Sequence, residues 1–354
     1  MRIPMRELLI GTLIGTPFLV GATVAQSDGP VVADPDAPSI TFQDPDIIES
    51  SGLVVRGGRV VTMNDSGDTA RVFAVDLATG ETVGVTHWSA DPEDLEALAP
   101  AGPGEVWAGD IGDNPRERSA ITVTRVPVGP GDRSVDAPAY ELTYPDGARD
   151  AESLLSDPVT GRLYVVSKDS MRGTVYAAPA QLQAGADNRM EALGSVLGLA
   201  TDGAFFPDGK HIVVRNYTSA SVYSFPDLTL RGSWVLPAQR QGEGIAVAAD
   251  DSIYLSSEGA HQELLHVTVP AKVRAAMGST TTSSSTSPST TANPSSSPSS
   301  ESGPASGPAS GPASGAATSA DVDQPGDPSP WPWILGGALG LAALVALFRS
   351  LRPR

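Results

Sequence analysis

From residue 37 to residue 270 apolar and polar side chains alternate in short runs, and almost no stretch keeps a helical period. Alternation puts one row of side chains in a core and the other outside it, so this region is read as all-β. The runs come in groups, each opened by an acidic residue, one or two small residues and an aliphatic one. The clear copies are Glu49-Ser-Ser-Gly-Leu53, Glu96-Ala-Leu98, Glu152-Ser-Leu154 and Glu243-Gly-Ile245, with a weaker one at Asp202-Gly-Ala204. These five acids stand 41 to 56 residues apart, the length of a four-stranded propeller blade.

After each acid comes a first strand, then a turn rich in Gly or Asp such as Arg56-Gly-Gly-Arg59 or Pro207-Asp-Gly-Lys210. Second strands are expected at 59–63, 105–108, 163–166, 211–214 and 252–255, and third strands at 71–75, 120–126, 174–177, 221–224 and 264–269. Outer strands are expected at 82–86, 139–143, 191–195 and 232–236. The fifth group lacks one, whereas Ser39-Ile-Thr-Phe42 ahead of the first group is a strand without a sheet. The economical reading is a β-propeller of five four-stranded blades, closed by that N-terminal strand so that no edge stays open. A sixth blade hidden in the longer second unit, or an open five-unit sheet, is the alternative.

The flanks differ in kind. Residues 1–26 carry Arg2 and Arg6, an apolar run and a small-residue stretch, the pattern of a signal peptide, with an uncleaved anchor as the alternative. Residues 278–328 consist mostly of Ser, Thr, Pro, Gly and Ala, too poor in large apolar side chains to offset the entropy of ordering, and are read as a disordered stalk. Residues 331–348 hold no charge and as a helix would reach about 27 Å, enough for a short membrane span. Arg349, Arg352 and Arg354 follow, so residues 349–354 are expected in the cytoplasm and the folded domain outside a cell membrane crossed once. Cysteine is absent, which excludes disulfides, thiol chemistry and a lipidated-cysteine anchor. A net charge of -18 argues against a nucleic-acid partner and favours cations or cationic surfaces.

In a blade the first strand lines the central channel and the second runs back beside it. Strand-one starts and strand-two ends therefore meet at one mouth. That mouth gathers Glu49, Glu96, Glu152, Asp202 and Glu243 with Asn64-Asp-Ser-Gly-Asp68, Asp110-Ile-Gly-Asp-Asn114, Lys168, Arg215 and Glu258. Oxygen ligands without clustered His or Cys would select a hard cation, Ca²⁺ ahead of Mg²⁺. The other reading of each acid is a clasp on backbone amides of the next blade. Lys168 and Arg215, near Arg149, either form internal salt bridges or bind an anionic group. The four histidines show no spacing that suggests a catalytic triad, and no phosphate loop or nucleophile elbow occurs.

Glu49-Ser-Ser-Gly-Leu53, Asn64-Asp-Ser-Gly-Asp68, Gly109-Asp-Ile-Gly-Asp-Asn114, Tyr144-Pro-Asp-Gly-Ala-Arg-Asp-Ala-Glu152 and Gln241-Gly-Glu-Gly-Ile245 resemble a group of secreted or membrane-tethered actinobacterial WD40-like propeller proteins. More remotely, the chain is similar to propellers of the phytase and esterase-like phytase type. That likeness implies calcium held by carboxylates, here Glu96, Asp110, Asp113, Glu152 and Glu243, and phosphate held by Lys168 and Arg215, with Asn64 as a further ligand-binding candidate. Two functions follow as expectations. One is a cell-surface binding module whose partner is a small molecule, a wall polymer or an exported protein. The other is a calcium-dependent phosphoester or ester hydrolase.

Overall fold

The computed structural model describes residues 40–65 and 67–278. β1 (Ile40–Thr41) opens this region but belongs to its last sheet. The first blade contains β2 (Ser50–Arg56), β3 (Arg59–Asn64), β4 (Arg71–Asp76) and β5 (Thr82–Trp88). β6 (Leu95–Gly102), β7 (Glu105–Asp110) and β8 (Ile121–Pro127) lead through β9 (Arg133–Val135) to β10 (Ala139–Thr143), the outer strand of the second blade. In the third, β11 (Ala151–Ser156), β12 (Leu163–Ser167) and β13 (Thr174–Ala177) pass through β14 (Asn188–Arg189) to β15 (Glu191–Ser195). The fourth comprises β16 (Asp202–Phe205), β17 (His211–Arg215), β18 (Ser219–Ser224) and β19 (Leu230–Val235). β20 (Gly242–Val247), β21 (Ile253–Ser257) and β22 (Glu263–Val267) make the fifth, completed at its outer edge by β1.

The inner strands close a ring: β2 packs against β6 and β20, β11 against β6 and β16, and β16 against β20. Ile40 pairs with Leu264 and Thr41 with Glu263, so the N-terminal strand closes the propeller as the alternation predicted. The extra length of the second unit makes no sixth blade. It supplies β9, which pairs in parallel with β5 of the blade before, and β14 is lent in the same way by the third unit to β10. Each lent strand covers an outer edge that would otherwise expose unpaired amides.

Stability comes from the seams between blades. Five apolar clusters fill five seams. Ile40, Phe42, Leu53, Phe73 and Leu264 join the last blade to the first, and Ile121, Leu142, Leu154 and Tyr176 join the second to the third. Past the expected boundary at 270, α1 (Ala271–Met277) seats Val273 in the cluster that holds Trp234, so the folded unit runs on through this helix.

The hairpin turns joining first to second strands all lie at the end of the ring opposite the strand-one acids. Arg274 of α1 bonds Asp251 in the β20–β21 turn at 3.2 Å, and β1 enters antiparallel to β22. The C-terminal end of the described residues therefore lies beside the hairpin face. No helix among the described residues is long and apolar enough to cross a membrane. The expected signal peptide, the stalk beyond Gly278, the span at 331–348 and the basic tail lie outside the described residues.

Candidate functional site

Four of the five inner strands start with a break in register. Pairing passes from Leu95–Asp110 to Ala97–Gly109 and skips Glu96. It passes from Ala151–Ser167 to Ser153–Val166 and skips Glu152, and from Gly242–Ser257 to Ile245–Leu255, skipping Glu243 and Gly244. A bulge re-aims the side chain of its unpaired residue. These three glutamates are thereby taken out of the strand alternation at equivalent places, each no more than 5% exposed.

In the first blade the break runs from Ser50–Asn64 to Leu53–Thr62 and leaves out Ser51 and Gly52. Ser51, not Glu49, is thus the counterpart of Glu96. Its hydroxyl donates to the Glu96 carbonyl oxygen at 2.8 Å and reaches Glu96 Oε2 at 3.3 Å. Glu49 lies outside the sheet in a bridge to Glu258. Asp202 has no bulge and pairs directly with Arg215. Its carboxylate accepts the Gly203 N–H at 2.7 Å and the Ile245 N–H at 2.8 Å, so it is a clasp between the fourth and fifth blades.

Burial and mutual repulsion set the protonation of the mouth. Desolvation, reinforced by the charges of Glu152, Asp65 and Asp94, pushes the Glu96 carboxyl far up. Glu152 is also raised by burial, opposed by Lys168, with which it forms an ion pair. Burial lifts Glu243 to about 7 and Asp94 to about 6. The Lys168 ammonium loses hydration, but Glu152 outweighs that loss and its pKa rises. Its Nζ also lies 5.4 Å from the centre of the Tyr217 ring. One carboxyl oxygen, Glu152 Oε2, is buried with no hydrogen-bond partner among the described residues.

Carboxylate oxygens of Asp65, Asp94 and Glu96 all lie within 4.8 Å of one another. One ion with oxygen ligands at about 2.4 Å spans that distance. Asp94 is held from behind: its N–H and that of Glu93 donate to Asp110 at 2.9 and 3.2 Å, and its carbonyl accepts from Ile111 and Gly112, both at 3.1 Å. Gly112 leaves the room, because a Cβ there would stand 2.3 Å from Asp94 Oδ2. A polar hollow of about 490 Å³ opens beside Asp94, lined also by Glu93, Glu117 and Arg118.

The other expected site residues have local partners. Asp110 serves Asp94 and pairs with Arg118 at 2.8 Å, while Asp113 accepts the N–H groups of Glu117 and Arg118, both at 2.9 Å. Asn64 accepts from Ile48 and Glu49 and donates to Asp46 and Asp68. Arg215 is fully buried, bonds Gly244 O at 3.1 Å and Gln239 at 3.2 Å, and is lowered to about 10 by desolvation. Arg149 is tied to Asp146 and Tyr176. Of the expected metal ligands, Glu96 joins a cluster whose other members, Asp65 and Asp94, come from a strand-two end and the run before a strand-one start. Asp65 stood in the string Asn64-Asp-Ser-Gly-Asp68, but nothing in the sequence ranked it above Asp68. No protein-family model matches this chain, and no curated protein matches it.

Proposed function

We propose that this protein is a cell-surface binding module that receives its ligand at the carboxylate mouth of the propeller. A hard divalent cation, Ca²⁺ by preference, sits there on Asp65, Asp94 and Glu96. The observation that carries this reading is the convergence of those three carboxylates beside a buried Glu152 oxygen that lacks a partner. A buried carboxyl oxygen without a partner is costly, and a bound ion or its coordinated water would satisfy it. Oxygen-only ligands and a wide span suit Ca²⁺ better than Mg²⁺, which needs tighter octahedral geometry. A wall polymer, a small molecule or an exported protein would complete the ion's coordination.

Hydrolysis is less well supported. The two cations a phosphate would need are engaged, Lys168 by Glu152 and Arg215 by backbone carbonyls deep in the seam. The test is thermal melting of the full chain in calcium and in chelator. Calcium at a hundred times its Kd should stabilise the fold by about 2.7 kcal/mol, and Asp94→Asn with Glu96→Gln should abolish the difference. An unchanged melting temperature in wild type refutes the cation. Turnover of generic phosphoester or ester substrates, lost in the same variant, refutes the preference for binding over hydrolysis.

A further inference from the structure

On the hairpin face, between the first and second blades, lies a cavity of about 180 Å³ that the mouth does not share. Its walls include Val54, Val61, Val106 and Val128, and Arg56 and Arg59 stand at its lip. These two arginines are direct cross-strand partners where β2 ends and β3 begins. Like charges held opposite each other destabilise a sheet, and among the described residues neither guanidinium has an ion pair or a hydrogen bond. The turn between them, Gly57-Gly58, has φ of +58° and +74°, the mirror-image hairpin geometry that glycine favours, and it leaves the space above bare.

Neither nearby acid forms an ion pair with these arginines. Asp76, which pairs with Arg59 on its other side, accepts the N–H groups of Ala78 and Thr79 at 2.9 and 3.1 Å. Glu105 in the cavity wall is bound by Arg125 at 2.5 Å. Two guanidinia against the one carboxylate without an ion pair, Asp76, leave a surplus of positive charge here, in a chain of net charge -18. Paired guanidinia match a phosphate group in charge and geometry, and an apolar wall beneath them asks for an anion with an apolar portion.

We propose that this cavity binds the headgroup end of an acidic phospholipid. The phosphate lies between Arg56 and Arg59, and the first apolar atoms of the lipid rest on Val54, Val61, Val106 and Val128. A lipid is favoured as the source because α1, at the C-terminal end of the described residues, bonds the β20–β21 turn of this same face, and the sequence beyond it includes the uncharged apolar run 331–348. The inference stands apart from the cation at the mouth.

The test is calorimetric titration of the full chain, held in an uncharged detergent with chelator present, using soluble dihexanoyl phosphatidylglycerol. Dihexanoyl phosphatidylcholine and inorganic phosphate serve as comparison probes. Phosphatidylglycerol is expected to bind at one site, and Arg56→Gln with Arg59→Gln to weaken it roughly tenfold or more, since a hydrogen bond to a charged group contributes about 1.5–3 kcal/mol. The single change Arg56→Gln should give an intermediate loss without lowering the melting temperature, which separates lost recognition from lost folding. Equal affinity for inorganic phosphate would make this a bare anion site and overturn the proposal. So would equal affinity for phosphatidylcholine, wild-type binding by the double variant, or no binding at all.

Discussion

Replacing Glu243 by Gln should stabilise the protein at pH 8 and leave it almost unchanged at pH 4.5. Burial is the main reason that Glu243 rises from its ordinary 4.5 to about 7, with Glu258 adding repulsion and Lys168 opposing it. A folded pKa above the unfolded one means that stability is complete below pH 4.5 and is lost as pH climbs through 7. Over that window the unfolded chain ionises freely while the folded one resists, a difference of about 3 kcal/mol for a displacement of this size. Glutamine cannot ionise and keeps an oxygen that can accept from Gln241, the present neighbour at 3.4 Å. Urea unfolding followed by circular dichroism from pH 4.5 to 8, with chelator present, measures the difference between variant and wild type. Carboxylates held low by hydrogen bonds, such as Asp68 and Asp208, act at lower pH and cancel between the two proteins. The expected gain at pH 8 is about 3 kcal/mol, against close to none at pH 4.5. Parallel curves, or a variant less stable at pH 8, would refute the assignment of a buried, reluctantly ionised carboxyl.

Gly112→Ala should displace the Asp94 carboxylate, because the new methyl would meet Oδ2 at 2.3 Å; calcium titration should show affinity lost by roughly tenfold or more, about 1.4 kcal/mol, with the circular dichroism spectrum unchanged. Asp202→Ala strips the acceptor from the buried Ile245 N–H and should cost about 2 kcal/mol in urea unfolding, whereas Asp202→Asn, which keeps an acceptor, should cost distinctly less. Val273→Ala removes two methyl groups from the seam that holds Trp234 and should destabilise the fold by about 2 kcal/mol; no loss would mean that α1 is not part of the folded unit.

The five blades were legible because strand alternation and glycine turns are local signals, and the stray strand at 39–42 could be matched to the one blade that lacked an edge. The lent strands were not. β9 and β14 are short, polar and parallel to their partners, so neither period nor turn chemistry marks them. The acids were visible as a beat, but their equivalence was not. A bulge inserts a residue that a period of two cannot register, and it shifted the first counterpart from Glu49 to Ser51. Glu96 was legible as a ligand candidate, while Asp65 and Asp94 become its neighbours only because the end of β3 meets the start of β6 across a seam. Asp110, read as a ligand candidate, accepts the N–H groups of Glu93 and Asp94, a contact that strand alternation does not register.

The central claim is that the mouth holds one hard cation on three carboxylates from two blades. Anomalous diffraction from crystals of the protein grown with Ca²⁺ tests it most directly, with Mn²⁺ exchange to strengthen the signal. The account predicts one peak bridged by Asp65, Asp94 and Glu96, absent from crystals of Asp94→Asn with Glu96→Gln. A mouth without a peak at saturating cation, or a peak held elsewhere on the ring and unaffected by those changes, would contradict it.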